Sequence, residues 1–187
     1  MRQVIVSNVV SLDGFIESSQ CEIDWFKVND EFMAYAVNML NAADTILFGR
    51  KTYQMMAAYW PLEENIKGDP LVANKMNTLE KIVFSKTLDN VEWNNSRLIK
   101  DNIITQVQKL KQQPGKDILI LGSGTIVSAL MQAGLIDECR LIVIPVILGA
   151  GNAMFRDVRE RIYLDLEKTK TFSNGTILLY YKPNNKI

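Results

Sequence analysis

Two short apolar runs that end in glycine are the feature that most constrains how this chain can fold. Residues 45–48 (Thr-Ile-Leu-Phe) and residues 118–121 (Ile-Leu-Ile-Leu) are each followed at once by a glycine, Gly49 or Gly122. Both runs are too short for helices, and bounded apolar runs of this length are typical of buried strands. Because a helical pattern follows each glycine, the sequence predicts two strand–glycine–helix junctions.

Other strand and helix patterns alternate along the chain, which predicts one α/β domain over residues 1–187 with a mostly parallel sheet flanked by helices. Near the C-terminus, residues 162–172 and 176–181 flank a Ser-Asn-Gly turn, which predicts an antiparallel hairpin at the edge of the sheet. The remaining predictions are strands at 4–10, 82–84, 98–99 and 140–145, helices at 30–43 (capped by Asn29), 51–59 and 102–113 (capped by Asp101), short helices from Pro70 and after Gly124, and a loop at 61–70.

The composition excludes several classes of chemistry. The chain has no histidine, which excludes Ser-His-Asp and Cys-His catalysis and histidine-ligated metals. The 21 basic and 21 acidic residues cancel, so no basic surface for nucleic acid is predicted. Cys21 and Cys139 are not spaced like metal ligands, and two cysteines are too few for a disulfide framework. No signal peptide and no apolar run of the ~18–20 residues that span a membrane are recognised, so a cytoplasmic protein is expected.

The two glycine junctions are the candidate ligand site. The N-terminus of a helix carries unpaired N–H groups and a partial positive charge, and Arg50, Lys51 and Thr52 add cationic and hydroxyl groups to the first junction. Ligands of open α/β sheets bind beyond the carboxyl ends of strands, so the two turns could cradle two phosphates of one dinucleotide. An ordinary strand-to-helix turn with solvated cations is the alternative for the first junction alone. The standard dinucleotide fingerprint is absent, because Val127 stands at its third glycine.

Several segments spread over the chain match one known family. They are residues 12–16 (Leu-Asp-Gly-Phe-Ile), 48–53 (Phe-Gly-Arg-Lys-Thr-Tyr), 122–124 (Gly-Ser-Gly), 134–138 (Gly-Leu-Ile-Asp-Glu) and 144–149 (Ile-Pro-Val-Ile-Leu-Gly). With these segments the chain resembles the dihydrofolate-reductase-like superfamily, and within it the C-terminal reductase domain of the bifunctional riboflavin-biosynthesis deaminase-reductase. The deaminase half has no counterpart, because the chain lacks the His-x-Glu and Pro-Cys-x-x-Cys signatures.

This resemblance implies a dihydrofolate-reductase-like α/β fold, NADPH as the cofactor and a homodimer. The C-terminal hairpin and the surface near Met55 and Met56 are the expected dimer contacts. In the family the Gly-Arg-x-Thr turn holds cofactor phosphates, with Arg50 near the 2′-phosphate, and two residues at the edge of the first strand and its loop approach the nicotinamide. The implied cofactor residues are Val9, Ile16, Gly49, Arg50, Lys51, Thr52, Phe84, Ser85, Lys86, Leu121, Gly122, Ser123, Gly124, Thr125 and Ile126.

The resemblance also suggests substrate residues. Dihydrofolate reductases carry an acidic residue on the first helix five residues after a tryptophan, and here Asp30 follows Trp25 at that distance. Asp30 is therefore the candidate catalytic residue, which would hydrogen-bond an aminopyrimidine-like ring and favour its protonation. Helix capping beside Asn29 is the alternative role for Asp30, and Glu31 is the adjacent candidate. Asp24 stands directly before Trp25, where dihydrofolate reductases have proline, and this departs from a true dihydrofolate reductase.

Three further side chains are left open by the sequence. Tyr53 lies just past the phosphate turn and faces either the substrate or the core. Lys67 or Arg156 would bind a phosphate group of the substrate, or else each is a solvated surface charge.

The expected function is an NADPH-dependent reductase that acts on a pyrimidine- or pterin-like heterocycle. The favoured instance is the 5-amino-6-(5-phosphoribosylamino)uracil reductase of riboflavin biosynthesis. The alternatives are a dihydrofolate reductase and a non-catalytic nucleotide-binding module of the same fold.

Overall fold

The computed structural model describes residues 1–184 and shows an eight-stranded sheet between two layers of helices, with a separate two-stranded sheet beside it. No helix in this range is long and apolar enough to cross a membrane. The strands are β1 (Val4–Ser11), β2 (Phe15–Ser18), β3 (Ala43–Gly49), β4 (Glu80–Phe84), β5 (Ser96–Ile99), β6 (Asp117–Ile120), β7 (Glu138–Ile144), β8 (Gly151–Ala153), β9 (Tyr163–Thr171) and β10 (Ile177–Asn184), and the helices are α1 (Asp30–Ala42), α2 (Arg50–Tyr59), α3 (Glu63–Gly68), α4 (Pro70–Thr78), α5 (Ile103–Gln112) and α6 (Gly124–Gln132).

The large sheet has the strand order β5-β4-β3-β6-β1-β7-β10-β9. The strands from β5 to β7 pair in parallel, whereas β10 pairs antiparallel with both β7 and β9. The predicted α/β class, the mostly parallel sheet and the antiparallel C-terminal hairpin are thereby confirmed.

Alternate residues of the central strands fill two cores on opposite faces of the sheet. In β3, Ile46 and Phe48 belong to the core that includes Tyr53 of α2, whereas Leu47 belongs to the core that includes Val127 of α6. This alternation follows from the two-residue period of side chains along a strand. Helices α2 and α6 consequently lie on opposite faces, although both begin at the same edge of the sheet. The chain leaves β3 towards β4 and leaves β6 towards β7, so this edge is a topological switch point, where α/β proteins bind ligands.

Two predictions about local structure were wrong, and two strands were not predicted. The predicted loop at 61–70 contains the short helix α3, whose first turn is favoured by Glu63 and Glu64 at its positive end. Helix α5 is preceded by Asn102, not by Asp101, and asparagine tolerates the left-handed backbone found there (φ 55°) better than most residues. Strands β2 and β8, which form the small sheet, are not among the predicted strands, because each is short and has no sustained alternation.

Candidate functional site

The two strand–glycine–helix junctions lie side by side. Strands β3 and β6 are direct neighbours, with Leu47 opposite Ile120, and α2 begins at the residue that follows β3. Neither α2 nor α6 has a side chain that caps its N-terminus, and neither has an acidic residue in its first turn. By contrast, Asn29 caps α1 by accepting a hydrogen bond from the Phe32 N–H at 2.9 Å. Two uncapped helix N-termini therefore converge at the carboxyl edge of the sheet.

The glycines allow the two turns to touch. A methyl group at Gly49 would lie 2.1 Å from the Ser123 Oγ and 2.7 Å from its Cβ, and one at Gly122 would lie 2.9 Å from the Thr52 Cγ2. Each turn thus packs its glycine against a side chain of the other turn. The Gly122 N–H also donates to the Asn8 Oδ1 at 3.3 Å, which ties the second turn to β1. The two turns are therefore in direct contact at both of their glycines.

A cavity of about 330 Å³ opens between the two junctions. This volume lies at the lower end of the range of about 300–1,000 Å³ found for ligand sites. The lining contains most of the residues that the family resemblance implies for the cofactor, and these are Ile16, Gly49, Arg50, Lys51, Thr52, Phe84, Ser85, Ser123, Gly124, Thr125 and Ile126.

Four of the predicted cofactor residues do not line this cavity. Val9 and Leu121 are half-buried and pack against the core on the α1 side of the sheet. Gly122 lies beneath the second turn, where its N–H bonds to Asn8. Lys86 is exposed next to Ser85.

The charge of the cavity favours an anion. The Arg50 side chain is exposed and, among residues 1–184, forms no hydrogen bond or ion pair. The Lys51 Nζ lies 3.9 Å from the Glu17 Oε1, and its side chain is 66% exposed. Cations at a helix N-terminus are opposed by the helix dipole, which is positive there, unless a negative group lies between them. The arrangement therefore suits a phosphate group that receives hydrogen bonds from helix N–H groups and from these cations.

Sequence reasoning missed three lining residues, all supplied by the small sheet: Glu17, Asn152 and Ala153. Arg156, which the sequence offers as a ligand for a substrate phosphate or as a solvated charge, also lines the cavity. The Asn152 Nδ2 donates to the Glu17 Oε1, across 135 positions of sequence. The pairing needs a glycine at 151, because a methyl group there would lie 2.2 Å from the Glu17 backbone oxygen. Gly151 in its glycine-rich loop was the only local signal of this approach.

Asp13 anchors the loop that leads into β8. Its carboxylate accepts hydrogen bonds from the Ser11 hydroxyl at 2.7 Å and from the N–H groups of Leu148 at 3.2 Å and Gly149 at 2.8 Å. The Ser11 hydroxyl, helped by these N–H groups, lowers the pKa of the Asp13 carboxyl from its ordinary value of 3.8. The carboxylate is therefore part of what holds the small sheet beside the cavity.

We expect Asp13→Asn to loosen this loop, because an amide has one acceptor oxygen where the carboxylate has two. Since the folded-state pKa is lowered, the stabilisation is present above 3.8 and is lost as the pH falls through the lower folded-state value. Denaturant unfolding should find the variant less stable than the wild type near neutral pH, with the difference shrinking in acid. A difference that stays constant down to the acid limit would contradict this role.

The predicted substrate residues at the start of α1 do not line the cavity. Asp30 is exposed, and its carboxylate has no hydrogen bond or ion pair with another described residue. Glu31 accepts a hydrogen bond from the Ser173 N–H at 2.6 Å and another from the Ser173 hydroxyl, and that hydroxyl above all lowers the pKa of Glu31. Trp25 is half-buried and donates from Nε1 to the Glu22 carbonyl at 3.2 Å. Glu31 is thus committed to joining α1 to the β9–β10 turn.

The Tyr53 side chain lies in the core, which is one of the two positions that the sequence leaves open for it. The side chain is only 5% exposed, and its hydroxyl accepts hydrogen bonds from the N–H groups of Glu92 at 3.1 Å and Trp93 at 3.0 Å. Tyr53 therefore supports the segment before β5 and is removed from the candidate substrate residues.

Comparison with known proteins gives consistent matches. Residues 2–178 match the family described as the RibD C-terminal domain. The uncharacterized protein YyaP of Bacillus subtilis (strain 168) is 38% identical over 183 residues, which are 98% of this chain and 96% of that protein.

Solved structures match the fold. A diaminohydroxyphosphoribosylaminopyrimidine deaminase/5-amino-6-(5-phosphoribosylamino)uracil reductase of Thermotoga maritima superposes with a TM-score of 0.71 and 15% identity, and the match covers 98% of this chain and 57% of that one. A dihydrofolate reductase of Enterococcus faecalis complexed with NADP(H) superposes with a TM-score of 0.66 and 12% identity, covering 98% and 97%.

At these low identities the two solved structures show the fold, and they confirm the predicted dihydrofolate-reductase-like architecture. The family match extends over nearly the whole chain and confirms the resemblance on which the site prediction rests. The chain therefore belongs to the RibD C-terminal domain family, a family of reductase domains.

Proposed function

We propose that this protein is an NADPH-dependent oxidoreductase that reduces a pyrimidine- or pterin-like heterocycle. The favoured activity is that of a 5-amino-6-(5-phosphoribosylamino)uracil reductase of riboflavin biosynthesis. Family membership supports the reductase class, and the activity in the name of the Thermotoga maritima protein supports the substrate class.

One observation carries the cofactor proposal: two uncapped helix N-termini meet at a cavity that also holds an unpaired arginine. The site fits a dinucleotide phosphate in its donor groups, because the first turns of α2 and α6 offer backbone N–H groups, and Thr52 and Thr125 offer hydroxyls. The glycines also let the two turns approach each other closely, so that both helix N-termini border the same cavity.

The residues of the cavity then have separate roles. Arg50 and Lys51 bind phosphate groups at the start of α2, and Ser85, at the end of β4, lies beside the adenosine half. Ile16 contributes an apolar wall from β2. When bound, NADPH supplies the hydride for the reduction. The protein contributes binding, orientation and the exclusion of water from the reacting face.

Asp30 is the proposed group that hydrogen-bonds the heterocycle. Its carboxylate is not engaged by any other residue in the described part of the chain, so it is available to a ligand. Glu31 lacks this freedom because Ser173 holds it. Since Asp30 lies outside the cavity lining, the substrate would bind next to the cofactor site and not inside it.

The test is a direct binding and turnover assay. Calorimetry with NADPH, followed by NADPH oxidation in the presence of the aminouracil ribosyl phosphate or of dihydrofolate, separates the candidate functions. Oxidation that depends on the aminouracil supports the favoured activity, and oxidation with dihydrofolate supports the alternative that rests on Trp25 and Asp30. Binding without oxidation by either compound supports a non-catalytic module. No binding of NADPH at millimolar concentration would refute the proposal as a whole.

We also propose that the protein forms a homodimer through the β9–β10 hairpin. Strand β9 forms one edge of the large sheet and is exposed along most of its length. Tyr163, Leu166 and Ile177 are 48%, 54% and 39% exposed on this hairpin. An exposed edge strand that carries apolar side chains is a template for pairing with another chain. Light scattering in solution tests the assembly, and a monomer at every concentration would contradict it.

The cytoplasm remains the predicted location of the protein.

A further inference from the structure

We infer that Arg156 is a second phosphate ligand of the cavity, which binds the diphosphate of the dinucleotide. This inference rests on the proposed function, because it assigns a residue to the same cofactor. The sequence left Arg156 as either a ligand for a substrate phosphate or a solvated charge. Its surroundings in the folded chain favour a third role.

The segment that carries Arg156 runs directly over the N-terminus of α6. A methyl group at Gly124, the first residue of that helix, would lie 2.8 Å from the Met154 backbone oxygen and 3.6 Å from the Ala153 backbone oxygen. Met154 itself is buried, with 1% of its surface exposed, which anchors the segment in the core. Arg156 lines the same cavity as Gly124 and Thr125. An arginine is therefore held beside an uncapped helix N-terminus.

A relay of hydrogen bonds orients the arginine. The Asn152 amide donates from Nδ2 to the Glu17 carboxylate, so its Oδ1 points the other way and accepts from the Arg156 Nη1 at 2.9 Å. A side-chain amide has its donor N–H groups on one side and its acceptor oxygen on the other. By accepting from the N–H side of Asn152, Glu17 therefore turns the amide oxygen towards Arg156. Glu17 and Asn152 belong to the paired strands β2 and β8, which makes the relay part of the small sheet.

The guanidinium keeps donors for a ligand. Of its five N–H donors, the Nη1 contact uses one, and the Nε lies 3.6 Å from an Asp157 carboxylate oxygen, in an exposed ion pair. The remaining N–H groups can form the two parallel bonds with which arginine binds phosphate. Arg156 is thus pre-oriented at the edge of the cavity before a ligand arrives.

Its place along the sheet favours the diphosphate over the 2′-phosphate. The cavity extends across the ends of β4, β3 and β6 in that order, with Ser85 after β4 and Gly124 after β6. Neighbouring strands lie about 4.8 Å apart, so these two ends are roughly 10 Å from each other. Arg156 lies at the β6 end, whereas the 2′-phosphate is proposed near Ser85 and Arg50. A substrate phosphate is disfavoured because Trp25 and Asp30 do not line this cavity.

The test compares NADPH and NADH, which share the diphosphate and differ in the 2′-phosphate. Calorimetry with Arg156→Ala should give dissociation constants about 10- to 100-fold higher for both dinucleotides, as expected for the loss of charge-assisted hydrogen bonds. Arg159→Ala is the matched control, because Arg159 is exposed, three positions further on, and does not line the cavity. The control should bind both dinucleotides as the wild type does. The Arg156 side chain is 57% exposed, so its removal should leave the thermal midpoint of unfolding unchanged.

The positioning role of Asn152 is tested by a double-mutant cycle. Asn152→Ala should weaken both dinucleotides in the wild-type background and cause no further loss in the Arg156→Ala background. Equal losses in both backgrounds would show that Asn152 acts through the small sheet alone and would overturn the relay.

Three outcomes would overturn the role of Arg156. A loss confined to NADPH would assign it to the 2′-phosphate. Unchanged binding of both dinucleotides with a raised KM for a phosphorylated substrate would assign it to the substrate, and unchanged binding with unchanged KM would make it a surface charge. Failure of the wild type to bind either dinucleotide is a different result, since it refutes the proposed function and this inference with it.

Discussion

Replacing Gly49 with alanine is expected to separate the two junctions and to abolish most of the NADPH affinity. The new methyl group would lie 2.1 Å from the Ser123 Oγ and 2.7 Å from the Ser123 Cβ, and the second distance cannot be relieved by rotating the serine side chain. Overpacking of this kind costs about 1–3 kcal/mol in the free energy of unfolding. A shift of the two helix N-termini should lower NADPH affinity by at least about tenfold. Denaturant unfolding and a binding titration measure the two effects.

The chain offers its own rescue for Gly49→Ala. Ser123 has a φ of 69°, which lies in the left-handed region that glycine adopts without strain. The single variant Ser123→Gly should therefore have nearly the same free energy of unfolding as the wild type. Because it removes the atoms that a Cβ at residue 49 would meet, the double variant should recover most of the lost stability and affinity. Two sites in contact give non-additive effects of this sort. Simple addition of the two single effects would show that the junctions do not depend on their mutual contact.

Replacing Arg50 with alanine is expected to weaken NADPH binding by about 10- to 100-fold and to leave NADH binding nearly unchanged. The physical reason is the loss of charge-assisted hydrogen bonds to the 2′-phosphate, each worth about 1.5–3 kcal/mol. The Arg50 side chain forms no hydrogen bond or ion pair with another residue among 1–184, so the loss is a ligand effect and not a folding effect. Calorimetric titration with both dinucleotides measures the ratio.

Arg50→Lys serves as the matched variant in this experiment. Lysine keeps the charge but loses the planar pair of donors, so NADPH affinity should fall between that of the wild type and that of Arg50→Ala. Equal losses for NADPH and NADH in Arg50→Ala would place the guanidinium at the diphosphate instead. In that case Lys51 or Ser85 would be the next residue to test for the 2′-phosphate.

The two junctions were predictable because their signal is local. In each, a bounded apolar run, a glycine and a helical pattern follow one another, and each part follows from the properties of neighbouring residues. Whether the two junctions meet depends on β3 and β6 being neighbours in the sheet, although they are separated in sequence by α2, α3, α4, β4, β5 and α5. The rule that ligands of open α/β sheets bind beyond the carboxyl ends of strands placed them at one ligand in advance, and the family resemblance agreed with that placement.

The substrate residues show the opposite case. Trp25 and Asp30 have the right spacing for the motif, yet they lie outside the cavity lining, and Glu31 is held by Ser173, 142 positions away. Tyr53 is adjacent in sequence to the phosphate turn but points into the core. Adjacency along a helix does not determine direction, because successive residues project about 100° apart around its axis.

By itself the sequence determined the alternation of strands and helices, the glycine turns that open α2 and α6, and the cations at the first of them, because each of these depends on residues within a few positions. Only the tertiary structure decided that Gly49 packs on Ser123 and that Gly122 packs on Thr52. It also brought β8 against β2 and so placed Arg156 on the cavity. These contacts join residues that are far apart in the chain, and they arise from strand order and close packing, which no local pattern of amino acids encodes.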